Sequence, residues 1–180
     1  MTSVQVTLDN WFVKNDYKLK TSARIIVGII WAIDGSLKFM PGLAENLVDM
    51  IKQVAQGQPS WLKPWFDYWS ATVSSNPQFY VTMTGIGELA LAFALVLGLL
   101  RKEAYTFGFF LSLFIWSVPE GFRGPYGSGS TDIGTGIVYA LVFVFLLLIN
   151  ATFGPSRYSL DYAIERRWKW WRRVAEVMSA

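Results

Sequence analysis

The 180-residue chain contains no cysteine and no histidine. Without cysteine it has no disulfide, no thiol redox chemistry, no persulfide carrier and no thiolate ligand for an iron–sulfur cluster. Without histidine it lacks an imidazole ligand for haem and the usual proton shuttle. Charge is scarce too: Asp, Glu, Lys and Arg make up 16% of the residues, against about 25% in an average soluble protein. A formal charge of +3 gives no reason to expect a nucleic-acid partner. Any redox role must therefore run through a bound organic molecule, a substrate or another subunit, with no haem, metal or iron–sulfur cluster on this chain.

What is abundant is apolar and aromatic: 53% hydrophobic and 17% aromatic residues. This composition predicts an all-α membrane protein, one domain over 1–180, with membrane lipid as its surroundings. Residues 1–21 are mixed polar and charged and lack the apolar core and cleavage site of a signal peptide. A bilayer core is crossed by about 20 predominantly apolar residues, and four segments qualify: 22–40, 78–100, 104–118 and 133–153. The first carries Arg24, Asp34 and Lys38 and stops at Pro41-Gly42. The third holds fifteen uncharged residues. They reach only about 22 Å, so this span extends into its flanks or sits where the bilayer thins.

Basic residues orient this four-helix bundle. One side collects Lys14, Lys18, Lys20, Arg24, Arg101, Lys102, Arg157, Arg166, Arg167, Lys169, Arg172 and Arg173; the other has Lys38, Lys52, Lys63 and Arg123. Twelve against four predicts a multi-pass protein of the cell membrane with both termini cytoplasmic. The outer loop 41–77 then contains an amphipathic helix over Leu43–Ala55 and a short aromatic-rich helix over Trp61–Thr72, read as an interfacial belt rather than a binding lid. The second outer loop, 119–132, is rich in Gly and Pro and irregular. The tail, 154–180, is expected to form a basic amphipathic helix over Asp161–Val177 that anchors on the cytoplasmic leaflet.

Glu88 is the residue that demands an explanation. It lies near the middle of Val81–Leu100, which carries no other charge, about 15 Å below the outer end of its helix. An acid at that depth faces a protein interior or a watery cavity and marks a candidate functional site. Asp34 and Lys38, four residues apart on one helix face, permit an ion pair. Glu120, Arg123 and Asp132 sit at the outer mouth. These six groups could converge on an outward-facing polar cavity, with Lys38 and Arg123 holding an anion and Glu88 with Asp34 handling a proton. They could equally pair with one another and lock the bundle. Trp31, Trp116 and Tyr139 are candidate neighbours of a quinone head group, or simply packing residues.

Four motifs resemble the DoxX/DoxD family of small four-helix membrane proteins, over about Ala23–Phe153. They are Arg24-x-x-x-Gly28 with Asp34-Gly35-x-x-Lys38-Phe39 and Pro41-Gly42, and Gly87-Glu88. The others are Pro119-Glu120-Gly121-Phe122-x-Gly124-Pro125-Tyr126 and Asp132-Ile133-Gly134-Thr135-Gly136-Ile137-x-Tyr139. The DoxD branch is the nearer. The resemblance implies the membrane subunit of a thiosulfate:quinone oxidoreductase, which oxidises thiosulfate to tetrathionate and reduces a membrane quinone. It also implies a small DoxA-like partner subunit and, further along the electron path, a quinol oxidase complex. The absence of cysteine places any sulfur-bound enzyme intermediate on a partner. A non-catalytic assembly subunit of a respiratory complex and a small-solute or proton carrier are the alternative readings.

Overall fold

A computed structural model describes residues 3–127, 130–154 and 156–177. The ends of the segments 1–21 and 154–180, and residues 128, 129 and 155, lie outside the described residues. The chain is helical, and among the described residues there is no strand. The first helix, α1 (Ser3–Leu37), starts long before the expected span at residue 22. No Gly or Pro occurs between Ser3 and Val27, so nothing in the backbone interrupts helix growth there. At 35 residues the helix is about 52 Å long.

Then follow α2 (Leu43–Ala55), α3 (Lys63–Ser75), α4 (Pro77–Leu97), α5 (Arg101–Ser117) and α6 (Thr135–Phe153), and two short tail helices, α7 (Leu160–Glu165) and α8 (Arg172–Ala175). Asn76 caps α4 by accepting the Phe79 N–H at 3.2 Å, with Pro77 preset for the first turn. Two helices, α4 and α6, are long and apolar enough to cross a membrane, and only 33% and 28% of their apolar windows are buried by protein. On α4 the buried residues Val81, Gly85, Glu88, Leu91 and Leu95 form one stripe, as helical periodicity requires. Phe79, Met83, Ile86 and Phe93 are exposed.

The bundle is built from two antiparallel pairs, α1 with α4 and α5 with α6. Gly28 faces Leu95 and Val96, Gly35 faces Glu88 and Leu89, and Gly85 faces Lys38 and Phe39. A Cβ at any of the three would come within 2.8–3.1 Å of the partner helix, so these glycines permit the close backbone contact. Trp31, Leu91, Leu95, Tyr105, Phe143 and Leu146 join all four helices in the main core. A second core, formed by Ile51, Phe66, Val73 and Val118, packs α2 and α3 over the outer end of α5. Gln58 clamps that cover down, its Nε2 lying 2.9 Å from both the Gly121 and Gly124 carbonyls.

The tail departs from expectation. Asp161–Val177 is not one amphipathic helix: α7 ends at Glu165 and a 3-10 turn at Lys169–Trp171 leads into α8. The break follows from charge. Asp161, Glu165 and Glu176 are buried, whereas Arg166, Arg167, Lys169, Arg172 and Arg173 are exposed. The acids turn inward because Arg101, itself 4% exposed, lies beneath them. Its Nε donates to Asp161 at 2.9 Å, and its Nη2 donates to Glu165 at 3.2 Å and to Glu176. Asp161 also accepts the Leu100 and Arg101 backbone N–H groups and the Trp171 indole, fixing the α4–α5 turn. Arg24, expected to reach for the cytoplasmic surface, is buried and turned inward. It donates to the Leu95 and Val96 carbonyls at the end of α4 and to Tyr158 O at 2.9 Å, a cation satisfying a helix C-terminus.

Burial, only partly offset by Arg101 and reinforced by the neighbouring Glu165, pushes the Glu176 carboxyl up to about 7. A carboxyl whose pKa is raised on docking favours the docked tail fully below its free value near 4.5, and that contribution is lost as pH rises through about 7. Amide exchange over 160–177, corrected for intrinsic rate, should therefore be slower at pH 6 than at pH 8. Glu176→Gln should flatten that dependence, and an unchanged dependence in the variant would exclude Glu176 as its source.

Candidate functional site

Under α2, between the C-terminal halves of α1 and α5 and the N-terminal halves of α4 and α6, lies a cavity of about 610 Å³. Its roof is the apolar face of α2, through Leu43, Leu47, Met50 and Ile51. The segment expected to be an interfacial belt therefore divides. Trp61 and Tyr68 are exposed as a belt would be. Phe66 is buried and Trp69 stacks edge-on against Phe114 at 4.9 Å. Most of the wall is apolar, and its side toward Ile33, Leu37 and Met83 runs out to exposed side chains.

Of the nine residues singled out in the sequence, Asp34, Lys38, Glu120, Trp31 and Tyr139 line this cavity. Lys38 Nζ is 3.0 Å from Asp34 Oδ2 and 3.4 Å from Glu88 Oε2. Glu88 is fully buried just behind that wall, and neither of its oxygens receives a hydrogen bond from protein. Its partner is thus Lys38, just past the end of α1, brought across by the Gly35 and Gly85 contacts. Asp34 retains a side chain that is 46% exposed. The cluster consequently joins a buried acid to an accessible one through a single ammonium group.

The outer-mouth residues have other engagements. Glu120 accepts the Gly136 N–H with both carboxylate oxygens, at 3.2 and 3.1 Å, an acid set at the N-terminus of α6. Arg123 does not line the cavity; it pairs with Asp132 at 3.1 Å in the exposed loop. The Gly134 N–H, with the Arg123 guanidinium beside it, holds the Asp132 carboxyl below its usual range. Trp116 also lies off the cavity, its indole donating to Ile133 O at 2.7 Å. The two late motifs therefore lock loop 119–132 to the start of α6. Gly134 is part of this lock: its φ of +96° and its contact with Glu120, Trp116 and Arg123 leave no room for a side chain.

Sequence reasoning missed the polar wall groups Thr84 and Ser112, whose hydroxyls donate to Tyr80 O at 2.9 Å and Gly108 O at 2.7 Å. It also missed Trp31 as a polar residue. Trp31 is 2% exposed and stacks beside Tyr139 at 5.7 Å, yet its Nε1–H has no partner. No family model, no curated protein and no solved structure matches the chain.

The cluster makes a testable energetic demand. Lys38→Met strands the buried Glu88 without a counter-charge, a change that costs about 3–5 kcal/mol in comparable buried pairs. Lys38→Met combined with Glu88→Met should recover most of that loss in detergent-based unfolding. A double variant as unstable as the single one would show that the two side chains do not interact.

Proposed function

We propose that the chain is a four-span, multi-pass membrane protein with both termini cytoplasmic, and that its cavity receives the head group of a membrane quinone. The observation that carries this reading is a largely apolar cavity whose wall combines stacked aromatic rings with one lysine linking an exposed acid to a buried one. Apolar side chains exposed along α1 (Ile26, Ile29, Ile33), α5 (Phe107, Phe110) and α6 (Leu141, Phe145, Leu148), as well as α4, support four lipid-facing helices. The exposed apolar rim at Ile33, Leu37 and Met83 supports access from the bilayer, the route a lipid-soluble molecule takes.

In this reading the chain serves as the membrane subunit of a thiosulfate:quinone oxidoreductase. Two thiosulfates joining as tetrathionate release two electrons, and the quinone takes up those two electrons and two protons to become the quinol. The chain's own residues supply the proton path. Asp34 takes a proton from the outer aqueous side, Lys38 Nζ bridges to the cavity, and Glu88, the counter-ion of Lys38 at rest, is the group behind it that takes up and returns a proton. Lys38 and Arg123 are already matched by carboxylates, so the anionic thiosulfate is assigned to cationic groups of a small partner subunit. Five of the six outer ionisable groups are ion-paired, which also suits an assembly subunit; quinone binding separates the two readings.

Glu88→Gln keeps the shape and the Asp34–Lys38 pair but removes the proton store. Thiosulfate-dependent quinone reduction by the intact complex in native membranes should fall by about 10²-fold or more, with the complex still assembled. Unchanged turnover in that variant would remove Glu88 from the reaction.

A further inference from the structure

Buried polar groups in folded proteins are nearly always satisfied, so each one that is not requires an account. Among the described residues, the buried side-chain atoms without a hydrogen-bond partner are Trp31 Nε1, Trp69 Nε1, both Glu88 oxygens and Asn150 Oδ1. Only Trp31 belongs to a residue that lines the cavity. The other polar groups of the wall are either engaged or, like the Tyr80, Thr135 and Tyr139 hydroxyls, belong to residues that keep some exposure. Thr84 and Ser112 donate to carbonyls of their own helices. Lys38 is held by two carboxylates, and Glu120 can only accept and is already bonded to Gly136. Trp31 thus brings a donor, desolvated by its surroundings and held by Phe143 and Tyr139, whose rings lie 5.6 and 5.7 Å away.

We infer that the Trp31 indole N–H is the anchoring donor for the cavity's ligand, accepting into the site a molecule with a carbonyl-type oxygen at one end and an apolar tail at the other. An indole nitrogen donates and cannot accept, so it selects an acceptor oxygen and rejects a hydroxyl presented only as a donor. Its burial, against the exposure of Ile33, Leu37 and Met83 on the same cavity, sets the orientation. The acceptor oxygen goes inward to Trp31, and the tail leaves past Ile33, Leu37 and Met83. The inference rests on the quinone reading and sharpens it: Trp31 donates to a carbonyl oxygen of the oxidised form.

The test uses the full-length protein in lipid nanodiscs and a short-chain ubiquinone labelled with ¹³C at its carbonyl carbons, observed by infrared difference spectroscopy. In the wild-type protein one carbonyl stretch should move to lower frequency relative to the same quinone in lipid alone. In Trp31→Phe, which keeps an aromatic ring and loses the N–H, that shift should vanish. The Kd for the quinone should rise by about tenfold, the equivalent of one modest hydrogen bond. Bound quinone whose carbonyl bands are unshifted in the wild type overturns the assignment without any variant, as does a shift that survives Trp31→Phe. A wild-type protein that retains no labelled quinone overturns the quinone reading itself, and this inference with it.

Discussion

The structure depends on how closely α1 and α4 approach. Gly28, Gly35 and Gly85 are spaced so that each faces side-chain or backbone atoms of the opposite helix, and the two backbones meet where larger residues would hold them apart. That proximity has a chemical result. Lys38 comes near the end of α1 and Glu88 from inside α4, and only a close antiparallel crossing brings their side chains to 3.4 Å. The same crossing sets Trp31 into the core between Leu91 and Phe143, and the cavity opens beyond it, where α1 ends and α2 folds over. Membrane helices commonly associate through such small-residue contacts; here the contact also assembles an ion cluster.

Both ends of the bundle solve the problem of buried charge in the same way, with carboxylates outnumbering the cation they surround. At the end covered by α2 Lys38 serves Asp34 and Glu88. At the end covered by the tail Arg101 serves Asp161, Glu165 and Glu176. The two clusters differ in what else supports them. Asp161 is satisfied by four N–H donors, among them two backbone groups of the α4–α5 turn, so that cluster is a structural rivet. Glu88 has no such donors. An acid stabilised by one flexible ammonium group, beside a cavity, is poised for change in a way that Asp161 is not.

Much of the architecture was legible in the sequence. The residues of α2 follow from the spacing of Leu43, Leu47, Ile51 and Val54, and α4 starts at Pro77, one residue before the expected 78. The Asp34–Lys38 pair follows from four-residue spacing. What was not legible depended on long-range partners. Arg24 and Arg101 belonged to a basic side by counting, but counting cannot show that Arg101 is covered by three acids from residues 161–176 or that Arg24 ends a helix two segments away. The acids of the tail looked like minor members of a basic helix; their burial required knowing that Arg101 lay beneath them. Likewise a periodic pattern shows Trp31 to be buried but says nothing of whether its N–H finds an acceptor.

The charge distribution also bears on which ligand the cavity suits. Asp34, Lys38 and Glu88 together carry one positive and two potential negative charges, and Glu120 adds a further carboxylate to the same wall. Two like unit charges about 4 Å apart repel by about 4 kcal/mol at an effective dielectric of 20, and a dianion would meet that repulsion twice over. A neutral head group meets none of it. The same residues that make the cavity a poor site for a dianion therefore suit it to a neutral ligand.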